Sequence, residues 1–231
     1  MWERFLHTSL FLKGEKWRLM SLEIKIDRDI YEHGVYLYKT GVFVFEPGLT
    51  ILIGCNGSGK TTLLKQIKKK LISDDKPFIF FQYDRERLER DGRLMQGDAN
   101  VKEFFSWVSC SEGEQIMVRL ESLAYQIGEF VRKNPGKDIF VLLDGVDSGF
   151  SIDNIIELKE SLFKVIIKDF ESKDNDIYII CSANSYELAA DEDCIVVCTG
   201  KHRRFKTYNT YCNMIMRTRE IKGRRYKKGA K

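Results

Sequence analysis

The chain has 231 residues, 43% of them hydrophobic and 31% charged, which is enough for one α/β domain with a substantial core and at most a small second one. No apolar run approaches the roughly 20 residues that span a bilayer, which argues against an integral membrane protein. The net charge of +4 is unevenly spread: residues 201–231 carry 12 Lys or Arg against Glu220 alone, a net of +11, leaving −7 for the first 200 residues. Such a segment is either a contact for nucleic acid or another acidic surface, or a solvated basic tail. Six cysteines without a C-x-x-C pair read as reduced thiols, so a cytoplasmic protein is expected. A zinc site from Cys194, Cys198 and Cys212 is disfavoured, because His202 would be its only nearby imidazole.

Residues 1–20 have aromatic and aliphatic residues between charges and lack the apolar region and cleavage site of a secretory signal. They read as an N-terminal extension. The stretch 14–20 can be encoded by purine-rich codons resembling a ribosome-binding site, so Met20 is expected as an alternative start. Between residues 21 and 45 apolar and polar positions alternate, as in Leu22-Glu23-Ile24-Lys25-Ile26, around a turn-prone Glu32-His33-Gly34, which predicts antiparallel strands. Tyr31, Tyr36 and Tyr38 in this region are candidates to stack on a base, against the plainer reading that they pack.

Residues 49–53 form a short apolar strand, and residues 62–72 place Leu63, Leu64, Ile67 and Leu71 at helical spacing. Between them, Gly54-Cys55-Asn56-Gly57-Ser58-Gly59-Lys60-Thr61 fills every fixed position of the phosphate-loop pattern G-x-x-x-x-G-K-[ST], followed by Thr62. Its glycines let backbone N–H groups and a helix N-terminus face phosphates. Lys60 adds a cation near the β- and γ-phosphates, and the Thr61 hydroxyl is suited to Mg²⁺. ATP and Mg²⁺ are therefore the expected cofactors.

Phe78-Ile79-Phe80-Phe81 predicts a central strand that ends at Gln82, where a side chain would face the ligand crevice. A charged excursion over 84–98 and a short amphipathic helix over 101–108 follow. Ser111-Glu112-Gly113-Glu114-Gln115 then opens a helix that stops at Asn134-Pro135-Gly136. A serine followed two residues on by a glycine at a helix start makes either a second anion-binding surface or an ordinary N-cap. Ile139–Asp144 is a strand that ends in an acid, presenting Asp144 to a metal shell. A helix over 152–170 should bury Ile155, Ile156, Leu158, Leu162, Val165 and Ile166. A strand over 177–181 leads into the polar turn Ser182-Ala183-Asn184-Ser185. Strands alternating with helices argue for a mostly parallel sheet.

In this order, the elements from about residue 22 to 197 resemble an ATP-binding-cassette (ABC) ATPase. The resemblance implies a P-loop NTPase fold of α/β class, with an N-terminal antiparallel strand region and a very short helical lobe. It makes Gly54 to Thr61 the Walker A loop, with Gly54, Asn56, Gly57, Ser58, Gly59, Lys60, Thr61 and Thr62 around the phosphates. Gln82 becomes the Q-loop glutamine, Asp144 the Walker-B aspartate, and Ser111, Gly113 and Glu114 the signature motif that closes over a partner's ATP. A head-to-tail homodimer with ATP is the implied assembly, and Thr61, Gln82 and Asp144 are the implied metal-side residues. Within the family the chain looks most like the soluble SMC, RecF and prokaryotic "AAA-family" heads. The 28 residues between Gln82 and Ser111 are short for a transporter's helical subdomain and leave no room for a coiled-coil arm.

The chain departs from that pattern at two positions. Gly145 stands where the family keeps a catalytic glutamate, and Asn184 where it keeps a switch histidine; Asp147 is the nearby carboxylate that could substitute as a base. Losing general-base assistance costs about 10²–10⁴ in rate, so slow hydrolysis is expected. The domain is expected to span 21–200 and the basic segment 201–231. A transporter nucleotide-binding subunit and a non-hydrolysing ATP-binding adaptor with an unknown protein partner are the alternatives.

Overall fold

In a computed structural model, residues 21–27, 30–31, 35–82, 112–171 and 175–229 are described. The expectations for residues 1–20, for the segment 84–98, for the helix over 101–108 and for Ser111 lie outside them. The strands are β1 (Leu22–Lys25), β2 (Ile30–Tyr31), β3 (Val35–Tyr36), β4 (Val42–Phe45), β5 (Gly48–Ile53), β6 (Phe78–Gln82), β7 (Ile139–Asp144), β8 (Ile177–Ser182), β9 (Asp193–Val196) and β10 (Lys201–Arg203). The helices are α1 (Lys60–Ser73), α2 (Glu112–Lys133), α3, α4 (Tyr186–Ala189) and α5 (Tyr208–Gly229), where α3 joins Ile152–Glu157, a π-turn segment Leu158–Phe163 and Lys164–Glu171.

The central sheet has the order β10-β9-β5-β8-β7-β6. All its pairings are parallel except β10 with β9. β1 pairs with β4 and β2 with β3, both antiparallel, as the alternating pattern predicts. β7 and β8 are buried along their whole length, as expected for parallel strands covered on both faces.

Successive residues of a strand point to opposite faces, so the sheet divides the core in two. One face carries Leu52, Leu142 and Ile180 under α1, whose Leu63, Leu64, Ile67 and Leu71 are buried, and under Ile24, Phe43 and Phe45 of β1 and β4. Phe140 and Tyr178 stack there with centroids 4.8 Å apart. The other face carries Ile51, Val141, Leu143 and Ile179 under Ile127 of α2, Phe163 of α3 and Tyr211 of α5.

Two expectations need correction. Helix α3 exposes Ile156 and Val165 and buries Phe163 and Phe170; the wide turn over 158–163 adds about a residue to that turn and so rotates the positions after it. A uniform period of 3.6 would bring residues 161–162 inward after Leu158; the π turn brings Phe163 instead. The segment read as a basic tail is the edge strand β10 and the long helix α5, and α5 buries Tyr211 and Thr218 against the domain.

The π turn also buries Lys159, whose ammonium pairs with Glu192 at 3.0 Å and donates to the Ala190 carbonyl. It ties α3 to the β8–β9 connection. Replacing it by methionine keeps the stem but leaves Glu192 and the carbonyl without their donor, so Lys159→Met should destabilise the fold by about 1–3 kcal/mol. Adding Glu192→Gln should recover part of that loss, as read by urea unfolding of the single and double variants.

Candidate functional site

The carboxyl edge of the parallel strands gathers the polar residues. Gln82, Asp144 and Ser182 are register partners across β6, β7 and β8, and Leu52 of β5 continues the row. The loop 54–61 leaves β5 beside them and opens α1 at Lys60. Asp144 is buried, and its Oδ1 accepts hydrogen bonds from Thr61 Oγ1 at 3.0 Å and Ser182 Oγ at 2.7 Å. The Ser182 oxygen in turn accepts the Gly145 N–H at 2.8 Å.

Loop 54–61 takes backbone shapes that other residues rarely adopt. Gly57 has φ +72° and Gly59 φ +100°, and a Cβ on Gly59 would press into Leu37 and Tyr38. Lys60 Nζ donates to the Gly54 carbonyl at 2.7 Å and to Asn184 Oδ1 at 3.0 Å. Burial pulls the Lys60 ammonium below the usual lysine range, against the opposing pull of Cys55, Asp147 and Asp144.

Asp147 and Asn184 also meet. Asp147 is buried, and its Oδ2 accepts the N–H groups of Asn184 and Ser185, each at 2.7 Å, while its Oδ1 has no hydrogen-bond partner among the described residues. Asp147 thus caps the turn that aims Asn184 at Lys60. Gly145 has φ +70°, and a Cβ there would meet nothing within 4 Å.

The structure therefore brings Gly54, Lys60, Thr61, Asp144, Asp147 and Asn184 together, with Gln82 on the same sheet edge. Asn56, Gly57, Ser58, Gly59 and Thr62 belong to the loop and the first turn of α1. Gly113 and Glu114 lie in the first turn of α2. Cys194, whose thiol burial pushes up to about 12, is a poor metal ligand. Among the described residues, no group of three His, Cys, Asp or Glu stands close enough to hold a metal.

Sequence reasoning misses four participants. Ser182 appears only as part of a polar turn, although its register with Asp144 makes it the bridge to Gly145. Tyr38 is wholly buried, packs edge-on to Phe43 and donates to the Gly59 carbonyl at 2.8 Å, so it braces the loop and does not stack on a base. Thr218 and Lys222 reach the loop from α5: Cys55 N–H donates to Thr218 Oγ1 at 2.9 Å, and Lys222 Nζ donates to the Asn56 carbonyl at 2.8 Å. No short-range signal marks these last two, which are 163 and 166 residues from their partners.

The mixed α/β architecture with its mostly parallel sheet, carrying this loop at the strand edge, fits a P-loop NTPase. No family model matches the chain. The chain is similar to the DNA replication and repair protein RecF of Chloroherpeton thalassium, at 31% identity over 108 residues. That similarity covers 42% of this chain and 28% of the relative, so the chain matches under a third of that protein's length. Among the described residues, no helix is long and apolar enough to cross a membrane.

Asp147→Ala should leave the Asn184 and Ser185 N–H groups, both partly buried, without their acceptor and lower unfolding stability by about 1–3 kcal/mol. Asp147→Asn keeps a carbonyl acceptor and should cost less. Chemical denaturation of both variants checks the capping role independently of any ligand.

Proposed function

We propose that this chain binds ATP with Mg²⁺ at residues 54–61, pairs head to tail with a second copy around it, and turns it over slowly while acting with a DNA or protein partner. The observation that carries the binding step is Lys60: a partly buried ammonium whose two hydrogen bonds go to neutral oxygens. Withdrawing a cation from water is costly even when carboxylates stand nearby, and an anionic ligand at the loop offsets that cost. The neighbouring carboxylates do not compensate Lys60 directly, since Asp144 is bonded to two hydroxyls and Asp147 to two backbone amides.

The residues present also fit Mg²⁺. Thr61 and Asp144 offer a hydroxyl and a carboxylate oxygen side by side, with Gln82 on the adjoining strand end, which suits a hard cation that takes one or two protein oxygens and keeps its waters. When bound, the metal supplies charge neutralisation on the phosphate oxygens. The chain's own part is to hold the phosphates on loop N–H groups and Lys60, and to place the Asn184 amide within reach of that ammonium. Ser111, Gly113 and Glu114 are the residues proposed to close over the partner's nucleotide.

The proposal of DNA as partner draws on the relative's printed role in DNA replication and repair and on the charge of the C-terminal segment. Lys201, Arg203, Arg204, Arg217, Arg219 and Arg224 are all exposed, and such cations bind a phosphate backbone in a salt-dependent way. A second reading, ATP binding without useful turnover, is favoured by the Gly145 backbone. Its positive φ disfavours the glutamate that related ATPases carry.

Lys60→Ala should weaken Mg-ATP binding at least tenfold to a hundredfold, about 1.5–3 kcal/mol for a lost charged hydrogen bond. Unchanged affinity by calorimetry would refute the nucleotide site. Gly145→Glu separates the two catalytic readings, because the side chain has open space but the left-handed backbone costs about 1–2 kcal/mol. If the missing carboxylate limits the reaction, steady-state phosphate release should rise about tenfold or more, with a lowered melting temperature. A wild-type rate of several turnovers per second would exclude a weakened site.

A further inference from the structure

Helix α5 crosses both loops of the site. Its inner face carries Tyr211, Thr218 and Lys222, spaced seven and four residues apart and therefore on one side of the helix. Tyr211 donates its hydroxyl to the Asn184 carbonyl at 2.8 Å. Thr218 is buried and gives its own proton to the Ile215 carbonyl at 2.7 Å, which turns an oxygen lone pair toward the Cys55 N–H. Lys222 holds the Asn56 carbonyl, and its Nζ lies 2.5 Å from where a Cβ on Gly57 would stand. Gly57 fills one of the four unspecified positions of the loop pattern. Glycine there suits both its φ of +72° and the approach of this ammonium.

We infer that Thr218 and Lys222 are positioning residues for the phosphate loop: together they hold two of its peptide groups, at Cys55 and at Asn56, in the orientation in which the loop receives an anion. The inference rests on the reading of residues 54–61 as the ATP site. Three of the first six residues of that loop are glycine, so its peptides lose much conformational freedom when they order around phosphate. Contacts that order them beforehand lower the cost of binding. Lys222 adds a polarising effect. A cation on the Asn56 carbonyl draws electron density across the peptide whose N–H belongs to Gly57, making that N–H a stronger donor. The cation itself stays on the carbonyl side of that peptide.

The effect should therefore fall on the polyphosphate and not on the base. The test is calorimetry with Mg-ATP and with tripolyphosphate on the full chain, for wild type, Thr218→Val, Thr218→Ser and Lys222→Met, alongside ligand-free melting temperatures. Thr218→Val preserves shape but removes the acceptor, and should weaken both ligands by about three- to tenfold. Thr218→Ser should restore binding to within about twofold. Lys222→Met keeps the stem at a half-buried position, so it reports even if the buried valine variant fails to fold, and should weaken both ligands by a similar factor. Wild type that binds Mg-ATP, with a folded Lys222→Met that binds both ligands as tightly, would overturn the inference while leaving the site intact. Wild type that binds neither ligand overturns the ATP-site reading and the inference with it.

Discussion

One carboxylate oxygen joins the parts of this site. Asp144 Oδ1 receives a proton from Thr61 at the start of α1 and another from Ser182 at the end of β8, and Ser182 also receives the Gly145 N–H. Two neighbouring strand ends, the first turn of the helix after the loop and the turn after β7 are thereby held about one buried atom. The constraint originates in the sheet. Parallel pairing in register places Asp144 beside Ser182 on one side and Gln82 on the other, and the next peptide of each chain must then leave the sheet at the same level. Charged acceptors form the stronger hydrogen bonds, so a carboxylate at this position orders its neighbours more firmly than an amide or hydroxyl would.

The parts of the fold legible in the sequence are those whose signal is local. Apolar runs such as 139–143 and 177–181, too short for a helix of their own, suit strands covered on both faces, as in a parallel sheet, and the loop pattern at 54–61 carries its own geometry. The polar ends of those runs, Asp144 and Gln82, were legible for the same reason. What was hidden depends on contacts between distant segments. Helix α5 reads as charged because seven of its 22 residues are Lys or Arg, yet Tyr211 and Thr218 give it an inner face that only the assembled sheet can bury. Tyr38 reads either as a base-stacking aromatic or as a packed one until Phe43 and the Gly59 carbonyl close around it. The π turn in α3 shows how far one local irregularity reaches, since a single wide turn at Leu158–Phe163 rotates every later position of the helix.

Helix α5 changes the meaning of the chain's uneven charge. A solvated basic tail would bind acidic partners independently of the site, whereas this helix carries exposed Arg217 and Arg224 within a turn or two of the residues that hold the loop. A macromolecule drawn to the outer face therefore meets an element whose inner face is bonded to the Asn56 and Asn184 carbonyls and the Cys55 amide. Removing the segment would delete the proposed partner surface and the contacts to the loop at once. Charge changes confined to the outer face separate them.

The two carboxylates of the site divide their work according to what already surrounds them. Asp144 sits beside Thr61, whose hydroxyl donates to its Oδ1; under the proposed function these two oxygens would flank the metal, the hydroxyl keeping its proton. Asp147 is turned the other way: one oxygen is occupied by two backbone amides that fix the 184–185 turn, and the other is buried without a partner among the described residues. A general base needs an oxygen that reaches a water beside the phosphate. The committed oxygen of Asp147 cannot be spared without releasing the turn that places Asn184 on Lys60. Any catalytic use of Asp147 would have to come from its other oxygen. Under the proposed function, a site organised in this way would favour holding the nucleotide over cleaving it, and the left-handed backbone at Gly145, one residue beyond Asp144, would act in the same direction.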